Sequence, residues 1–486
     1  MNITKIPLKD THSFSALFID YINGEEKVKE FYEARPQLDS FKQQLEHKKF
    51  PSDRRAVLVK ALTEQYKSIQ LNDKVKANID LLGKETTYTV TTGHQLNLFT
   101  GPLYFIYKII TTINLAKKLK AGFPQYDFVP VYWMASEDHD VEEINHFYLF
   151  NQKYVWETDQ KGAVGRFSLK GMEQVLEAVK ENVPLFRDAY SGDRTLAQAT
   201  RYLVNELFKE YGLVILDGDD KALKREFRSY FHKELFTNTG SSIASVNEKL
   251  ESKGYKVQVN PREINLFYLG DGFRERIVRE GDHFKVLNTD ITLSSTQVEE
   301  LVESAPEKLS PNVVIRPVYQ EVILPNLAYI GGPGEIAYWL QLKDLFKEFQ
   351  VPFPVLMPRN FALIVPASQV KRIEKLGLSD NDLFLSTDQL KNAYLERTKE
   401  QLHDLSFEKQ TLEKLFEAIK QKAEAIEKPL GPYVLGEGKK ALKVLEDIEK
   451  RLKKAEEKQS ETEINQINNL KAKLFPEGNL QERVEN

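Results

Sequence analysis

The sequence predicts an α/β protein in which an open, mostly parallel sheet with insertions precedes a C-terminal α-helical coiled-coil hairpin. Two patterns lead to this prediction. Short β-branched or aromatic runs end in Gly, Asp or Pro and are followed by longer segments of helical periodicity, as in folds that alternate strands and helices. Beyond residue 386 the composition shifts to Leu, Glu and Lys, which is typical of long helices.

The first 85 residues predict a helical lead-in that packs on the core. Apolar residues recur there at helical spacing, as at Leu58, Leu62, Tyr66 and Ile69, and we find no strand pattern. The lead-in is therefore expected to cover the sheet without contributing to it.

The core is predicted over residues 86–386. Several of its candidate strands are continuously apolar, as strands covered on both faces are. The six candidates are Thr86–Thr92, Phe128–Trp133, Leu213–Asp217, Val313–Arg316, Leu327–Ile330 and Pro354–Met357. Insertions are predicted at about 153–211 and 240–300, the second with antiparallel strands at Tyr255–Val259, Phe273–Val278 and Phe284–Leu287. Ligands are expected at the carboxyl ends of the parallel strands.

Residues 387–486 predict a coiled-coil domain. Four apolar residues repeat at the seven-residue interval of a coiled-coil seam, namely Leu405, Leu412, Ile419 and Ile426. Pro429, Gly431 and Pro432 break this helix, and a second Leu-rich run over residues 439–474 predicts the return arm of an antiparallel hairpin. A two-helix hairpin leaves apolar surface unpartnered within one chain, which favours a homodimer through this domain.

Composition limits the classes of protein and partner. The 486 residues carry 68 Lys+Arg against 72 Asp+Glu, a net charge of −4, which gives no basic field for nucleic acid. The chain has no cysteine, so disulfides, a cysteine nucleophile and thiolate-bound zinc are excluded. The most apolar stretch, residues 98–116, contains Gly101, Pro102 and Lys108 and does not predict a membrane span. Since no secretory leader is visible, we expect a cytoplasmic protein.

A histidine loop follows the first predicted strand. His94 and Gln95 come directly after it, and Gly101-Pro102 precede a helical segment that carries Lys108. Proline suits the first helical position, where free amides bind anions. His94 is therefore predicted to be catalytic or to hold a phosphate, and Gln95, Gly101 and Lys108 to bind substrate or nucleotide. Alternatively, His94 and Gln95 only satisfy backbone groups of the loop.

An acidic cluster of Glu137, Asp138, His139 and Asp140 follows the second predicted strand. Carboxylates this close raise one another's pKa and cost stability, so chemistry explains them better than folding. Asp138, His139 and Asp140 are therefore predicted to be catalytic and Glu137 to bind substrate. Two alternatives stay open: an acidic helix N-terminus, and a metal site extended by residues 143 and 146. No metal ligand is assigned.

A third segment contributes Asn312, Arg316 and Gln320. The forked guanidinium of Arg316 suits a carboxylate or phosphate, although a buried ion pair with Glu321 is an alternative. All three residues are predicted to bind substrate or nucleotide.

A fourth segment is a glycine-rich helix start with Gly331, Gly332, Gly334 and Glu335. Glycines let a ligand approach the backbone, whereas Glu335 could equally cap the helix. The run has neither Walker nor GxGxxG spacing. No G-x-S-x-G elbow occurs, so Ser-His-Asp catalysis is not supported.

These segments closely resemble the BshC family, the cysteine-adding enzymes of bacillithiol biosynthesis. The matching stretches are TGHQLNLFTGPLYFIYKI (Thr92–Ile109), VPVYWMASEDHDVEEI (Val129–Ile144), SPNVVIRPVYQEVILP (Ser310–Pro325) and AYIGGPGEIAYW (Ala328–Trp339). The resemblance spans nearly the whole chain. It implies a Rossmann-type core with connecting insertions, a coiled coil that pairs two subunits, and a site that contains His94, Gln95, residues 138–140, Arg316 and the 331–335 loop.

The resemblance also implies an activity: a ligase that joins L-cysteine to the amine of glucosaminyl-malate. A carboxylate is a poor electrophile, so ATP with Mg²⁺ is the expected activator. Helix starts at Pro102 and Pro333 would hold phosphates, and His94 or His139 would deprotonate the amine. Two other functions stay open, namely a metal-dependent hydrolase using His94, Asp138, His139 and Asp140, and a non-catalytic coiled-coil assembly module.

Overall fold

The computed structural model describes residues 2–149, 152–398, 404–459 and 461–484. The chain forms two compact units. The sheet unit consists of Phe14–Ala362 with residues 482–484, and the helical unit consists of residues 2–13 with Leu363–Gln481. In the described residues, no helix combines the length and apolarity needed to cross a bilayer.

The described strands all belong to the sheet unit. They are β1 (Thr87–His94), β2 (Asp127–Met134), β3 (His146–Leu149), β4 (Gln152–Val155), β5 (Val214–Asp217), β6 (Leu266–Gly270), β7 (Phe273–Glu280), β8 (His283–Val286), β9 (Thr292–Ser294), β10 (Leu309–Pro311), β11 (Asn326–Gly331) and β12 (Val355–Pro358).

The central sheet has the strand order β12-β11-β1-β2-β5, and every neighbouring pair is parallel. The chain builds outward from β1 through β2 to β5, then returns to the other side of β1 with β11 and β12. The direction in which successive strands are added to the sheet therefore reverses between β1 and β11. Open α/β sheets bind ligands at such a topological switch point. The predicted open parallel sheet is confirmed.

Strand β1 is buried along most of its length although it contains four threonines. Three of the four hydroxyls have partners in β11: Thr89 Oγ1 and Thr91 Oγ1 donate to Asn326 Oδ1 at 3.1 and 2.8 Å, and Thr92 Oγ1 donates to the Ile330 carbonyl at 2.9 Å. The Thr87 hydroxyl is buried without a partner among the described residues. Buried hydroxyls cost little free energy when they are paired in this way. The bonds also tie β1 to β11 beside the switch point.

Five of the six predicted strands are present, and the prediction for Val313–Arg316 is wrong. The side-chain oxygen of Asn312 accepts hydrogen bonds from the backbone N–H groups of Val314 (2.8 Å) and Ile315 (3.2 Å). This turn leads into a helix that begins at Arg316, where Pro317 fits the first turn. Local turn geometry thus overrides the strand propensity of the β-branched run.

The helices of the sheet unit pack around the central sheet and the insertions. They are α1 (Ala16–Asn23), α2 (Ser40–His47), α3 (Ser52–Gln65), α4 (Asp73–Leu81), α5 (Tyr104–Gly122), α6 (Val141–Ile144), α7 (Met172–Ala178), α8 (Pro184–Ala189), α9 (Leu196–Phe208), α10 (Lys221–Arg225), α11 (Arg228–Phe236), α12 (Gly240–Ser252), α13 (Ser295–Ser304), α14 (Arg316–Ile323), α15 (Pro333–Leu340) and α16 (Lys343–Glu348).

Both predicted insertions contain structure of their own. The hairpin β3–β4 and helices α7 to α9 occupy the region of the first, and an antiparallel sheet of order β10-β6-β7-β8-β9 occupies the second. Tyr255–Val259 is not a strand, contrary to prediction. There, Gln341 Oε1 accepts hydrogen bonds from the backbone N–H groups of Gln258 (2.8 Å) and Val259 (3.1 Å). This side chain takes the place that a neighbouring strand would have.

The helical unit contains α17 (Ala367–Lys375), α18 (Thr387–Thr398), α19 (Ser406–Ile426), α20 (Leu430–Gln459) and α21 (Glu461–Leu474). α19 and α20 form the predicted antiparallel hairpin: Lys409 pairs with Glu449 near one end, and Gly431 approaches Glu424 at the other. The return arm begins at Leu430 and not at residue 439, so Gly431 and Pro432 lie in its first turn. The predicted repeat residue Leu405 precedes α19, and residues 399–403 lie outside the described part.

An apolar cluster joins the helices that flank the hairpin in sequence. It joins residues of α17, α18 and α21, among them Ile373, Leu390, Ile467 and Leu470. Because α17 belongs to this cluster, the second part of the helical unit begins at Leu363, whereas the Leu-rich composition predicts a boundary at Thr387. Residues 363–386 pack with α18 and α21 without sharing the Leu-rich composition of the hairpin.

Candidate active site

A cavity of about 900 Å³ lies at the carboxyl ends of the strands on both sides of the switch point. Its walls come from the ends of β1, β2 and β11, from the start of α15, and from residues of the second insertion. Cavities of this size bind drug-sized molecules. All four sequence segments singled out above contribute to it.

His94 is the last residue of β1 and lines the cavity. Its ring stacks on Phe105 with centroids 5.0 Å apart, and its Nε2 is buried without a hydrogen-bond partner. Burial, followed by the nearby Lys108 ammonium, lowers the pKa of His94 to about 3. The imidazole is therefore neutral at physiological pH, and its Nε2 is placed to bond a ligand.

Beneath His94, Lys108 and Glu335 form an ion pair with a closest N–O distance of 2.8 Å. Lys108 is only 1% exposed and also donates to the Gly93 carbonyl, and the Tyr329 hydroxyl donates to Glu335 at 2.6 Å. Burial alone would raise the pKa of Glu335, but the Lys108 ammonium together with hydrogen bonds from Tyr329 and the Gly332 N–H lowers that pKa. Lys108 is thus neutralised and is a weak candidate for binding a substrate anion.

Asp138 and Gln95 meet at the edge of the cavity. Gln95 Nε2 donates to Asp138 Oδ2 at 2.8 Å and to Glu143 Oε2 at 2.6 Å, and the His139 backbone N–H donates to Asp138 Oδ1 at 2.8 Å. The two segments that were predicted separately therefore form one hydrogen-bonded group. Glu143, left open in the sequence, belongs to this group.

His139 has a defined ring tautomer. Arg274 Nη1 lies 2.8 Å from His139 Nδ1, and an arginine can only donate, so Nδ1 accepts and the neutral ring carries its proton on Nε2. Burial, followed by the Arg274 guanidinium, lowers the pKa of His139. His139 is consequently a hydrogen-bond donor, contrary to the expected role of base.

The carboxylate of Glu137 pairs with a second buried cation, the ammonium of Lys224. Lys224 is fully buried and pairs with Glu137 at 2.5 Å and with Asp219 at 3.2 Å. The carboxylate of Glu137 is therefore largely committed to folding, although the residue lines the cavity.

Arg316 lies in the cavity wall between aromatic rings. Its guanidinium carbon is 5.9 Å from the Trp133 ring centroid and 5.7 Å from that of Tyr329, and Nη1 donates to Gln320 Oε1 at 3.1 Å. Its alternative partner, Glu321, pairs with Lys48 at 3.2 Å. Arg316 is thus held by a neutral amide, which leaves its charge for a ligand.

Eleven of the fifteen predicted site residues line the cavity, and four do not. The four are Gly101, Asp140, Gln320 and Gly331. Asp140 is exposed, Gln320 is buried behind Arg316, and Gly101 packs on Asn97. Helix α5 begins at Tyr104 and not at Pro102, because Gly101 adopts a positive φ of 63°. The anion site predicted at Pro102 is therefore not formed there.

Several lining residues were missed in the sequence. They are mainly aromatic or cationic, and include Tyr104, Arg262, Arg274, Tyr329, Tyr338, Arg359 and Arg483. Arg359 directly follows β12, so the rule of polar groups after predicted strands could have found it. Arg274 and Arg483 have no such local signal.

The hydrolase alternative requires a group of metal ligands. Among the residues that the structure describes, no three His, Asp or Glu side chains are grouped so that they could hold a metal ion. His139 Nδ1 faces Arg274, and Asp140 lies outside the cavity.

Fold and cavity together define an α/β protein with a Rossmann-like sheet and a cavity at its switch point. The chain belongs to the BshC family. Residues 1–360 match the family described as "Bacillithiol biosynthesis BshC, N-terminal Rossmann-like domain", and residues 362–486 match its "C-terminal coiled-coil domain".

Relatives cover the chain nearly end to end. Proteins named "Putative cysteine ligase BshC" are 44% identical in Cytophaga hutchinsonii (100% of this chain, 93% of the relative) and 47% identical in Flavobacterium psychrophilum (97% and 91%). A protein of the same name in Bacillus cereus is 30% identical over 96% of this chain and 91% of its own length.

Proposed function

We propose that this protein is a ligase that joins L-cysteine to the amine of glucosaminyl-malate, with ATP activating the cysteine carboxylate. The observation that carries the proposal is that four separate family motifs converge on one cavity at the switch point. The names of its full-length relatives point to the same chemistry.

The reaction requires two small molecules in one site. A new C–N bond forms between the cysteine carbonyl carbon and the sugar amine, the activated C–O bond breaks, and the amine loses a proton. A cavity of about 900 Å³ is large enough for both partners. Holding them together supplies much of the rate enhancement that such a reaction needs.

Asp138 is the proposed acceptor of the amine proton. Its side chain is one-third exposed, lines the cavity, and accepts hydrogen bonds from Gln95 and the His139 backbone N–H. His139 donates from Nε2, and His94, with a pKa of about 3, is too weak a base. His94 Nε2 is assigned to hydrogen bonding with a substrate group.

Nucleotide binding fits the donor set of the cavity. The guanidinium of Arg316 would bind phosphate oxygens, and the first turn of α15 offers amides to an oxyanion of either substrate. Mg²⁺ usually takes one or two carboxylates together with substrate phosphates, and Glu143, which faces the cavity, suits that role. When bound, ATP supplies the leaving group that makes the carboxylate electrophilic.

A product assay tests the proposal. Purified protein is incubated with glucosaminyl-malate, cysteine and ATP, each omitted in turn, and the amide is quantified by mass spectrometry. Product that requires all three supports the ligase. Product without ATP removes the activation step from the proposal, and no product with all three present contradicts the ligase itself.

A further inference from the structure

The end of the chain returns to the cavity. Glu482 is 2% exposed, and its carboxylate accepts hydrogen bonds from Arg359 Nη2 at 2.6 Å and from the Ala362 backbone N–H at 3.3 Å. The next residue, Arg483, lines the cavity. A buried ion pair of this kind is costly to break, so it fixes the segment of residues 482–484 where Arg483 can reach a ligand.

Arg359 retains an unused donor. Nη2 bonds Glu482 and Nη1 bonds the Asn360 carbonyl at 3.0 Å, but its Nε is buried without a hydrogen-bond partner although the residue is only 3% exposed. The Tyr104 and Phe361 rings, 5.2 and 4.5 Å away, hold the guanidinium in place. A buried unpaired donor is unfavourable, and an acceptor that enters the cavity would satisfy it.

The unused donor faces the start of α15. A Cβ built on Gly332 would lie 3.6 Å from Arg359 Nε and 3.4 Å from Glu335 Oε2, the carboxylate that pairs with Lys108, whereas a Cβ built on Gly334 would meet nothing within 4 Å. Both glycines line the cavity. The Gly334 and Glu335 amides in the first turn of this eight-residue helix have no acceptor within the helix, so helix start and guanidinium present donors to the same space.

We propose that Arg359 Nε, Arg483 and the first turn of α15 form an oxyanion-binding subsite, to which the segment of residues 482–484 contributes Arg483. Glu482 is a positioning residue that orients Arg359 and anchors this segment. The ligand is a carboxylate or phosphate oxygen, because these match a guanidinium and backbone amides. The identity of the molecule that carries this oxygen rests on the proposed function: it is either the acceptor substrate, through its malyl carboxylates, or ATP, through its phosphates.

Binding and kinetics of Arg483→Gln and Arg483→Lys test the subsite. Calorimetry with L-malate and with inorganic phosphate, and KM values for glucosaminyl-malate and ATP, distinguish the two sources. Arg451→Gln, which removes an exposed arginine of α20, is the matched control. We expect the Gln variant to weaken one ligand by 10-fold or more with partial rescue by Lys, while kcat changes less than threefold. Unchanged binding of L-malate and phosphate, together with unchanged KM values for glucosaminyl-malate and ATP, would overturn the proposal.

Gly334→Ala gives a second, independent test. Because the added methyl group meets open space, the melting temperature should stay within about 2 °C of wild type, and only a ligand in the subsite would meet it. The same ligand that Arg483→Gln weakens should lose at least 10-fold in affinity. Full affinity in Gly334→Ala would remove the helix start from the subsite.

Glu482→Gln tests the positioning role. It should raise the KM of that same ligand and leave the other substrate's KM unchanged, a split that general destabilisation would not produce. Equal effects on both KM values would contradict the role. If the product assay shows no ligation but malate or phosphate binding still depends on Arg483, the subsite stands and the proposed reaction fails.

Discussion

The two histidines of the cavity have different chemistry although both are neutral. The pKa of His94 is low because of burial, and its Nε2 has no partner, whereas the ring of His139 is oriented by a hydrogen bond from Arg274. Neither ring is suited to remove a proton from an amine. At the scale of single residues, the carboxylate of Asp138 is therefore the proposed acceptor of the amine proton.

Asp138→Asn should lower turnover by roughly 100-fold or more, the scale of lost acid/base assistance. The amide can still accept the His139 N–H, and relief of like-charge repulsion should leave the melting temperature unchanged or slightly higher. Steady-state rates in the product assay and thermal denaturation measure the two effects. Glu142→Gln, an exposed neighbour outside the cavity, is the control. Loss of folding, or turnover within twofold of wild type, would mean that Asp138 is structural.

Glu335→Leu should destabilise the fold by about 3–5 kcal/mol, because it leaves the Lys108 ammonium buried without its partner. Urea denaturation measures the free energy of unfolding. The double variant Lys108→Met with Glu335→Leu removes both charges and should recover most of the loss. A single variant within about 1 kcal/mol of wild type would show that the ion pair is not needed for stability.

At the scale of elements, Glu234 of α11 connects a helix to the antiparallel insertion. The carboxylate accepts hydrogen bonds from the Asn265 backbone N–H at 2.6 Å and from its side chain at 3.0 Å, and from the Thr239 hydroxyl. Asn265 directly precedes β6, whose Phe267 lines the cavity. The orientation of the cavity wall thus depends on this buried acid.

Burial raises the pKa of Glu234 to about 7, from 4.5. Between these values the folded state binds more protons than the unfolded state, so this residue's contribution to stability falls as pH rises. Glu234→Gln removes that dependence. Its stability relative to wild type should increase from pH 5 to pH 8 by roughly 2–3 kcal/mol, measured by urea denaturation. The exposed Glu248→Gln is the control, and a pH-independent difference would contradict the prediction.

At the scale of the whole molecule, the hairpin exposes a row of large apolar side chains. They include Leu415, Ile419, Ile426, Val444, Ile448 and Leu452. Such a surface favours a partner, and a second copy of the hairpin offers a matching face. Homodimerisation remains a prediction.

Light scattering at micromolar concentration should show a dimer for the wild-type chain. Ile419→Glu combined with Ile448→Glu places charges on the 39% and 43% exposed positions of α19 and α20 and should give a folded monomer. Lys422→Glu, an exposed charge on α19, is the control. These substitutions are preferable to truncation after Ser386, which would also remove α18 and α21 from the apolar cluster that they form with α17. A wild-type monomer, or a dimeric double variant, would contradict the prediction.

The sequence by itself determined the elements whose signal is local. Five sheet strands, the hairpin and the positions of His94, Asp138 and Gly332 follow from periodicity, glycine and proline, because backbone sterics act over a few residues. Parallel strands then place their carboxyl ends at one edge. This explains why segments hundreds of residues apart could be predicted to share a site.

Only the tertiary structure decided the charges of that site. Burial made His94 neutral, Arg274 set the proton of His139, and Glu335 neutralised Lys108. Desolvation and long-range pairing depend on which side chains meet, and nothing local to any one of these residues specifies its partner. For the same reason Asp140 lies outside the cavity although its sequence neighbours line it. Arg483 lines the cavity although it is far in sequence from the other lining residues.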